Sequence, residues 1–242
     1  CLTDEELKII GELANKYDVI ILEDLAYFGM DFRKDYSHPG VAPFQPTVGK
    51  YTDNYILMLS TSKAFSYAGE RCAVLGISNK LAERRYPDLK EFCGQEIFAR
   101  GIIFGALHPL SSGTSHSAQY AVAGVMKAVN DGTYNYRDDV LEYGEKAKMM
   151  KDAFTSNGFE FTYSEDLGEP IADGFYFTYY YPGFTGAELL EKMLYYGISA
   201  ISLDTCGSTR QGIRACTSLI QRDEIPVLAE RLKRFAEDHP IK

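Results

Sequence analysis

The run Tyr55-Ile56-Leu57-Met58-Leu59 limits what this chain can become more than any other stretch, because of how it ends. Five residues of strand character give way at once to Ser60-Thr61-Ser62-Lys63, and Arg71 follows eight positions after the lysine. An apolar run bounded by turn residues reads as a buried strand. A lysine at the exit of such a strand is costly unless its amine is paired or put to use. A lone Ser-x-x-Lys reads as a surface lysine in a polar loop, so the neighbouring segments decide its meaning.

A second run of the same kind lies upstream. Val19-Ile20-Ile21-Leu22 is apolar throughout, as parallel strands covered on both faces are, and it leads into Glu23-Asp24-Leu25-Ala26-Tyr27. Two acids and a tyrosine therefore fall at a strand's carboxyl end, where open α/β sheets bind ligands. Before it, Leu7, Ile10, Leu13 and Ala14 recur at helical spacing over residues 4–16, behind the capping box Thr3-x-x-Glu6. Residues 28–53 are polar and rich in proline and glycine, a long connection with room for one short helix. Cys72-Ala73-Val74-Leu75-Gly76-Ile77 is a third apolar strand. The loop leading to it is too short for a crossover helix, so it reads as an antiparallel neighbour of the second.

Further on, the pattern predicts a charged helix over 79–92, a buried helix over 97–107 stopped by His108-Pro109, and a helix over 117–129. After the turn Asn130-Asp131-Gly132 the character changes. A long charged helix over 134–156 is followed by short strands at 160–163, 174–180, 198–203 and 212–217. A helix over 185–196 starts from a second capping box, Thr185-x-x-Glu188, and a last helix covers 222–238. This is an α+β module distinct from the first half, which places a boundary near 131 and domains at 1–130 and 131–242.

Composition closes off other classes. A formal charge of −9 argues against nucleic acid as a partner, since binding to phosphate backbones needs clustered cations. No run approaches the ~18 apolar residues of a membrane span. The five cysteines are scattered without a Cys-x-x-Cys pair, which suggests neither a zinc or other metal site nor a disulfide framework. Reduced thiols in a cytoplasmic protein are the expectation.

Asp24-x-x-Tyr27 after one strand, Ser60-x-Ser62-Lys63 after another, Gly69-x-Arg71, and the distant Gly212-Ile213-Arg214 form an ordered set. That set resembles the class I/II aminotransferases, fold-type I enzymes that use pyridoxal 5′-phosphate. The resemblance runs the length of the chain. It implies an α/β fold of the fold-type I PLP-dependent transferase kind. The C-terminal half of the PLP-binding large domain, with part of its sheet, would occupy 1–130 and the small C-terminal α+β domain 131–242. It implies an amino-group exchange between an amino acid and a 2-oxo acid, and a homodimer at full length.

Residue by residue, the resemblance makes Lys63 the Schiff-base lysine, which must be uncharged to act. It puts Asp24 under the pyridine nitrogen, keeping the ring an electron sink, and Tyr27 on the ring's 3′ oxygen. Ser60, Ser62 and Arg71 become the phosphate clamp, and Arg214 the fork for the substrate's α-carboxylate. Asp173-Gly174-Phe175-Tyr176 resembles the glycine–aromatic strand opening the family's small domain. No second arginine that would read the substrate side chain can be singled out, with Arg100 and Arg137 as candidates.

The departures matter equally. The family's Asn-Pro-Thr-Gly-like segment, its glycine-rich phosphate turn and the aromatic residue stacked on the ring have no counterpart here. The expectation is a C-terminal fragment that is inactive alone, because the cofactor would lack one wall. A β-lyase or decarboxylase on the same scaffold, or a non-catalytic aminotransferase-like sensing domain of a regulator, are the other readings.

Overall fold

The computed structural model describes residues 2–172 and 174–241, so Asp173 of the predicted glycine–aromatic strand lies outside the described residues. The chain forms two compact units. One comprises residues up to Gly29 together with Asp35–Arg137; the other comprises Met30–Lys34 and Asp138 onward.

In the first unit, helix α1 (Asp4–Tyr17) begins at the predicted capping box. The Glu6 amide donates to Thr3 Oγ1 at 3.2 Å and the Glu6 carboxylate accepts from the Thr3 amide at 2.7 Å, satisfying two amides that the first turn leaves open. The helix ends at Asp18, whose left-handed backbone (φ 52°) turns the chain toward the sheet. Strand β1 (Ile21–Asp24) runs parallel to β2 (Tyr55–Ser60), with Asp24 opposite Met58. Strand β3 (Ala73–Ile77) is antiparallel to β2 as expected, with Ala73 opposite Ser60.

Strand β1 starts two residues later than the apolar run, because its ladder begins where the Ile21 amide meets the Asn54 carbonyl. Asp24 is thereby the strand's last residue. The expectation of cover on both faces is not met. Leu22 and Asp24, on one face of β1, are exposed, Leu22 at 61%, and among the described residues β1 is an edge strand in the order β1-β2-β3.

The predicted helix over 79–92 is two short ones, α3 (Asn79–Glu83) and α4 (Leu89–Cys93). Pro87 excludes its predecessor from helical geometry, and the backbone is already extended at Arg84. His108-Pro109 does not stop the next helix. Helix α5 (Phe98–Gly101) widens into a π-helical segment, Ile102–Leu107, and continues as α6 (His108–Ser111). Nor is that helix buried, since Phe104 is 54% exposed. Helix α7 (His116–Asn130) packs Ala118 and Val122 against Cys72.

The second unit takes most of helix α8 (Tyr136–Thr155). Strands β4 (Glu160–Phe161), β7 (Tyr176–Tyr180), β8 (Ile201–Ser202) and β9 (Ile213–Cys216) form an antiparallel sheet in the order β4-β7-β9-β8. A two-residue-per-strand hairpin, β5 (Glu165–Asp166) and β6 (Glu169–Pro170), was not legible in the sequence. Helix α9 (Gly186–Tyr195) carries the second predicted capping box, and α10 (Ile225–Asp238) closes the unit. The core is aromatic. Phe154 stacks on Tyr179 at 4.3 Å between centroids, and Phe159, Phe235, Leu189, Met193 and Ile213 are buried around the pair. Each such side chain contributes about 1.5–3 kcal/mol by leaving water.

Candidate active site

The topology decides where the chemistry-bearing residues of the first unit fall. Since β1 and β2 are parallel and β3 is antiparallel, the carboxyl ends of the first two strands and the amino end of the third share one edge of the sheet. Asp24 closes β1, Ser60 closes β2, and Arg71 stands two residues before Ala73. With strands spaced ~4.8 Å apart, that edge spans about 10 Å from β1 to β3. Three positions well separated in sequence thus share one edge.

The turn carrying the lysine is tightly built. Ser60 caps the one-turn helix α2 (Thr61–Ala64), its hydroxyl oxygen accepting from the Ser62 amide at 3.2 Å. Thr61 is buried, and its hydroxyl donates to the Cys72 carbonyl at 2.6 Å, pinning the start of the turn to the strand that follows. The amides of Ser66 and Tyr67 return to the carbonyls of Lys63 and Thr61. Ser66 and Arg71 both adopt left-handed backbone conformations (φ 49° and 53°), a cost of about 1–3 kcal/mol for a non-glycine residue that clusters at functional sites.

Held this way, Lys63 directs Nζ over the Tyr27 ring, 5.3 Å from its centroid. Tyr27 itself is 39% exposed. Asp24 is exposed, and its Oδ1 accepts from the Ala26 amide at 2.9 Å, which leaves the other oxygen for a partner. Arg71 is exposed and ties only Nη1 to the Ala68 carbonyl, at 2.8 Å, so its remaining N–H groups face outward. The hydroxyl hydrogens of Ser60 and Ser62 are likewise not used in hydrogen bonds to the protein among the described residues. This donor set, two hydroxyls and a guanidinium beside a lysine, suits a phosphate dianion.

Glu23, the other acid of the pair, does different work. It is half-buried, and its Oε2 accepts from the Val48 amide at 2.8 Å, capping the 3₁₀ turn Val48–Lys50. Burial raises its carboxyl above the usual range, the Val48 bond opposing this only in part. Neither Thr61 nor this role of Glu23 was predicted. A threonine between two serines reads as another loop hydroxyl, and only the fold shows that it points inward.

Arg214 lies in the second unit, on β9. Its strand neighbours Ile213 and Ala215 face the core, so Arg214 stands on the sheet's other face, opposite Thr178 of β7 and Ile201 of β8. Its guanidinium stacks over Tyr176 at 4.3 Å, and its buried Nε finds no acceptor among the described residues. An unsatisfied guanidinium nitrogen away from water is costly, and a carboxylate is the partner that its planar fork matches. Gly212 directs the strand. It sits at φ 139°, and an added Cβ would collide with the Tyr179 carbonyl oxygen and meet Thr162 Oγ1 at 2.8 Å.

The other arginine candidates are placed differently. Arg137 is buried and donates Nη1 to the Gly29 carbonyl, and Arg100 is exposed on α5. Among the described residues no three His, Cys, Asp or Glu side chains gather as metal ligands would, and no helix is long and apolar enough to cross a membrane.

A parallel–antiparallel edge bearing a lysine, a carboxylate, two hydroxyls and a guanidinium, together with a second α+β unit, fits an α/β protein of the fold-type I class. The family is settled by sequence: the model for aminotransferases of class I and II matches residues 1–232, and the chain belongs to that family. No curated protein matches it. Among solved structures it is similar to an aromatic aminotransferase from Pyrococcus horikoshii OT3, with TM-score 0.67, 16% identity, and 98% of this chain against 56% of that one. It is similar also to an aspartate aminotransferase from Thermotoga maritima, with TM-score 0.63, 16% identity, and 96% of this chain against 52% of that one. An α-aminoadipate aminotransferase from Thermus thermophilus, complexed with N-(5′-phosphopyridoxyl)-L-leucine, gives TM-score 0.64 at 16% identity, with 97% against 54%. The chain thus spans about half the length of the solved structures it matches.

Proposed function

We propose that this chain is the cofactor-holding and substrate-gripping portion of a pyridoxal-phosphate-dependent aminotransferase that exchanges an amino group between an amino acid and a 2-oxo acid. The observation that carries the reading is the shared sheet edge, with Asp24, Ser60 and Arg71 at adjacent strand ends and Lys63 poised beside Tyr27. Pyridoxal phosphate, when bound, supplies an aldehyde for the amino group and a ring that accepts the α-carbon's electrons.

The chain's own residues take the remaining tasks. Lys63 Nζ would hold the cofactor's aldehyde and, as a free amine, move the proton at the substrate's α-carbon. The Asp24 carboxylate would hold the pyridine nitrogen and keep it protonated, while the Tyr27 hydroxyl would hold the ring's 3′ oxygen. Ser60 and Ser62 hydroxyls with the Arg71 guanidinium grip the phosphate. In the second unit, Arg214 takes the substrate's α-carboxylate, satisfying the buried Nε. Residues 1–130 correspond to the C-terminal half of a PLP-binding large domain and 131–242 to a small domain. At full length the protein is a homodimer.

The test is chemical trapping. The chain is incubated with pyridoxal phosphate, reduced with borohydride and digested, and the modified peptide is identified by mass spectrometry. The expected product carries the pyridoxyl group on Lys63, at far higher yield than on any other lysine, and Arg71→Ala lowers that yield. Equal labelling across the surface lysines would remove Lys63 from this role.

A further inference from the structure

Behind the lysine turn the first unit holds a cavity of about 310 Å³. Its wall shares Ser60 and Thr61 with the lysine turn but includes none of Asp24, Tyr27, Lys63 or Arg71, so it overlaps the site described above only at the start of that turn. The lining is overwhelmingly apolar and aromatic: Phe28, Phe44, Phe65 and Tyr136 supply rings, and Leu59, Val74, Met126 and Val129 supply aliphatic walls. Tyr136 is wedged between Phe28 and Phe65, at 5.7 and 5.5 Å between centroids. Burial pushes its phenol up to about 12, and the hydroxyl is spent on the Ser37 carbonyl at 2.9 Å.

One buried polar atom in that wall has no partner among the described residues. Ser37 is 4% exposed, and its backbone is fully used, the amide donating to the Pro43 carbonyl and the carbonyl accepting from Tyr136. Its side-chain oxygen is buried with no partner among the described residues. It sits at φ 67°, where serine gains nothing over glycine in conformational terms. A buried hydroxyl without a partner costs stability, and a ligand's hydrogen bond would relieve that penalty. The volume lies at the lower end of small-molecule pockets and is about twice the 150 Å³ that accommodates benzene in an engineered cavity.

We propose that this cavity is a second binding site, for a small planar aromatic molecule of one or two fused rings carrying a single N–H or O–H group, which pairs with Ser37 Oγ. The rings of Phe28, Phe44, Phe65 and Tyr136 receive the flat body, and edge-to-face or offset contacts favour an aromatic over an aliphatic guest of equal volume.

Indole is the probe. The chain contains no tryptophan, so indole fluorescence excited beyond the tyrosine band reports binding without protein background. Saturable binding at one site is expected, and Ser37→Gly should weaken it about tenfold, the loss of one hydrogen bond. Glycine suits φ 67°, so that variant should melt no lower than the parent. Val129→Phe, which fills the cavity from α7, should abolish binding, and Lys63→Ala should leave the isotherm unchanged. Indole that fails to saturate, that binds equally well to both cavity variants, or that is lost with Lys63→Ala overturns the proposal.

Discussion

Lys63 Nζ and the Tyr27 ring meet at 5.3 Å across two strand ends, and both side chains arrive there from short turns fixed by backbone hydrogen bonds. Tyr27 lies within a turn after β1, where the Phe28 amide bonds back to the Leu25 carbonyl. Lys63 is locked by the bonds of α2. A cation over a ring at this distance is worth about 0.5–1 kcal/mol when partly exposed, which is enough to orient the amine but leaves it available.

The pair separates two roles of the tyrosine. Tyr27→Phe keeps the ring under Nζ but loses the hydroxyl, and should weaken pyridoxal phosphate binding about tenfold, the value of one hydrogen bond. Tyr27→Leu should weaken it further, because the ring is lost too. Equilibrium titration of the cofactor's visible absorbance measures both. Equal effects of the two variants would mean that the hydroxyl contributes nothing.

Glu23 provides a pH signature. Its carboxyl is raised in the folded chain by burial, so between its unfolded and folded pKa values the native state binds more protons than the unfolded one. Stability must then fall as pH rises through that window, and be recovered on acidification. Glu23→Gln keeps an oxygen for the Val48 amide and removes the charge. At neutral pH it should melt at or above the parent's temperature, and this part of the acid-range slope should vanish. A variant less stable at neutral pH would show that the charge–amide bond outweighs the desolvation.

How far the sequence could be read depends on what each residue answers to. The apolar runs, the two capping boxes and the antiparallel β2–β3 pair were legible because they are local: Thr3 with Glu6, Thr185 with Glu188, and a loop too short for a crossover. The failures involve neighbours distant in sequence. The start of β1 is set by Asn54, and the exposure of Leu22 by the lack of cover from the described residues over its face of the sheet. Pro109 continues a helix because a π-helical segment precedes it, a feature with no local signature. At the candidate site, the list of residues came from the family resemblance that their types and order carry. The shared edge, the inward turn of Thr61 and the unsatisfied Nε of Arg214 came only with the fold.

Gly212 fixes the entry to the strand bearing Arg214. A Cβ there would collide with the Tyr179 carbonyl and Thr162 Oγ1, and φ 139° is a conformation that L side chains rarely adopt. Backbone cannot yield as a flexible side chain can. Gly212→Ala should therefore cost about 2–4 kcal/mol, combining overpacking with backbone strain. Urea denaturation followed by near-ultraviolet circular dichroism, sensitive to the Phe154–Tyr179 stack, would record it. A cost below about 1 kcal/mol would mean that β9 can shift without penalty.

Thr61 tests whether the lysine turn must be rigid to capture the cofactor. Its hydroxyl is buried and donates to the Cys72 carbonyl, so Thr61→Val keeps the shape, removes the donor and leaves that carbonyl with only the longer bond from the Thr61 amide, at 3.3 Å. The stability cost should be about 1–2 kcal/mol. Thr61→Ser retains the donor, loses one methyl group and should cost less. If the turn acts only as a stable connection, trapping of pyridoxal phosphate at Lys63 should fall in both variants in proportion to the unfolded fraction alone. If the turn positions Nζ, Thr61→Val should trap more slowly even when fully folded, while Thr61→Ser traps at the parent's rate. We expect the second outcome, because the Thr61–Cys72 bond ties the start of α2 to the chain just after Arg71 and so holds the lysine and the Arg71 guanidinium, proposed to grip the phosphate, in one frame.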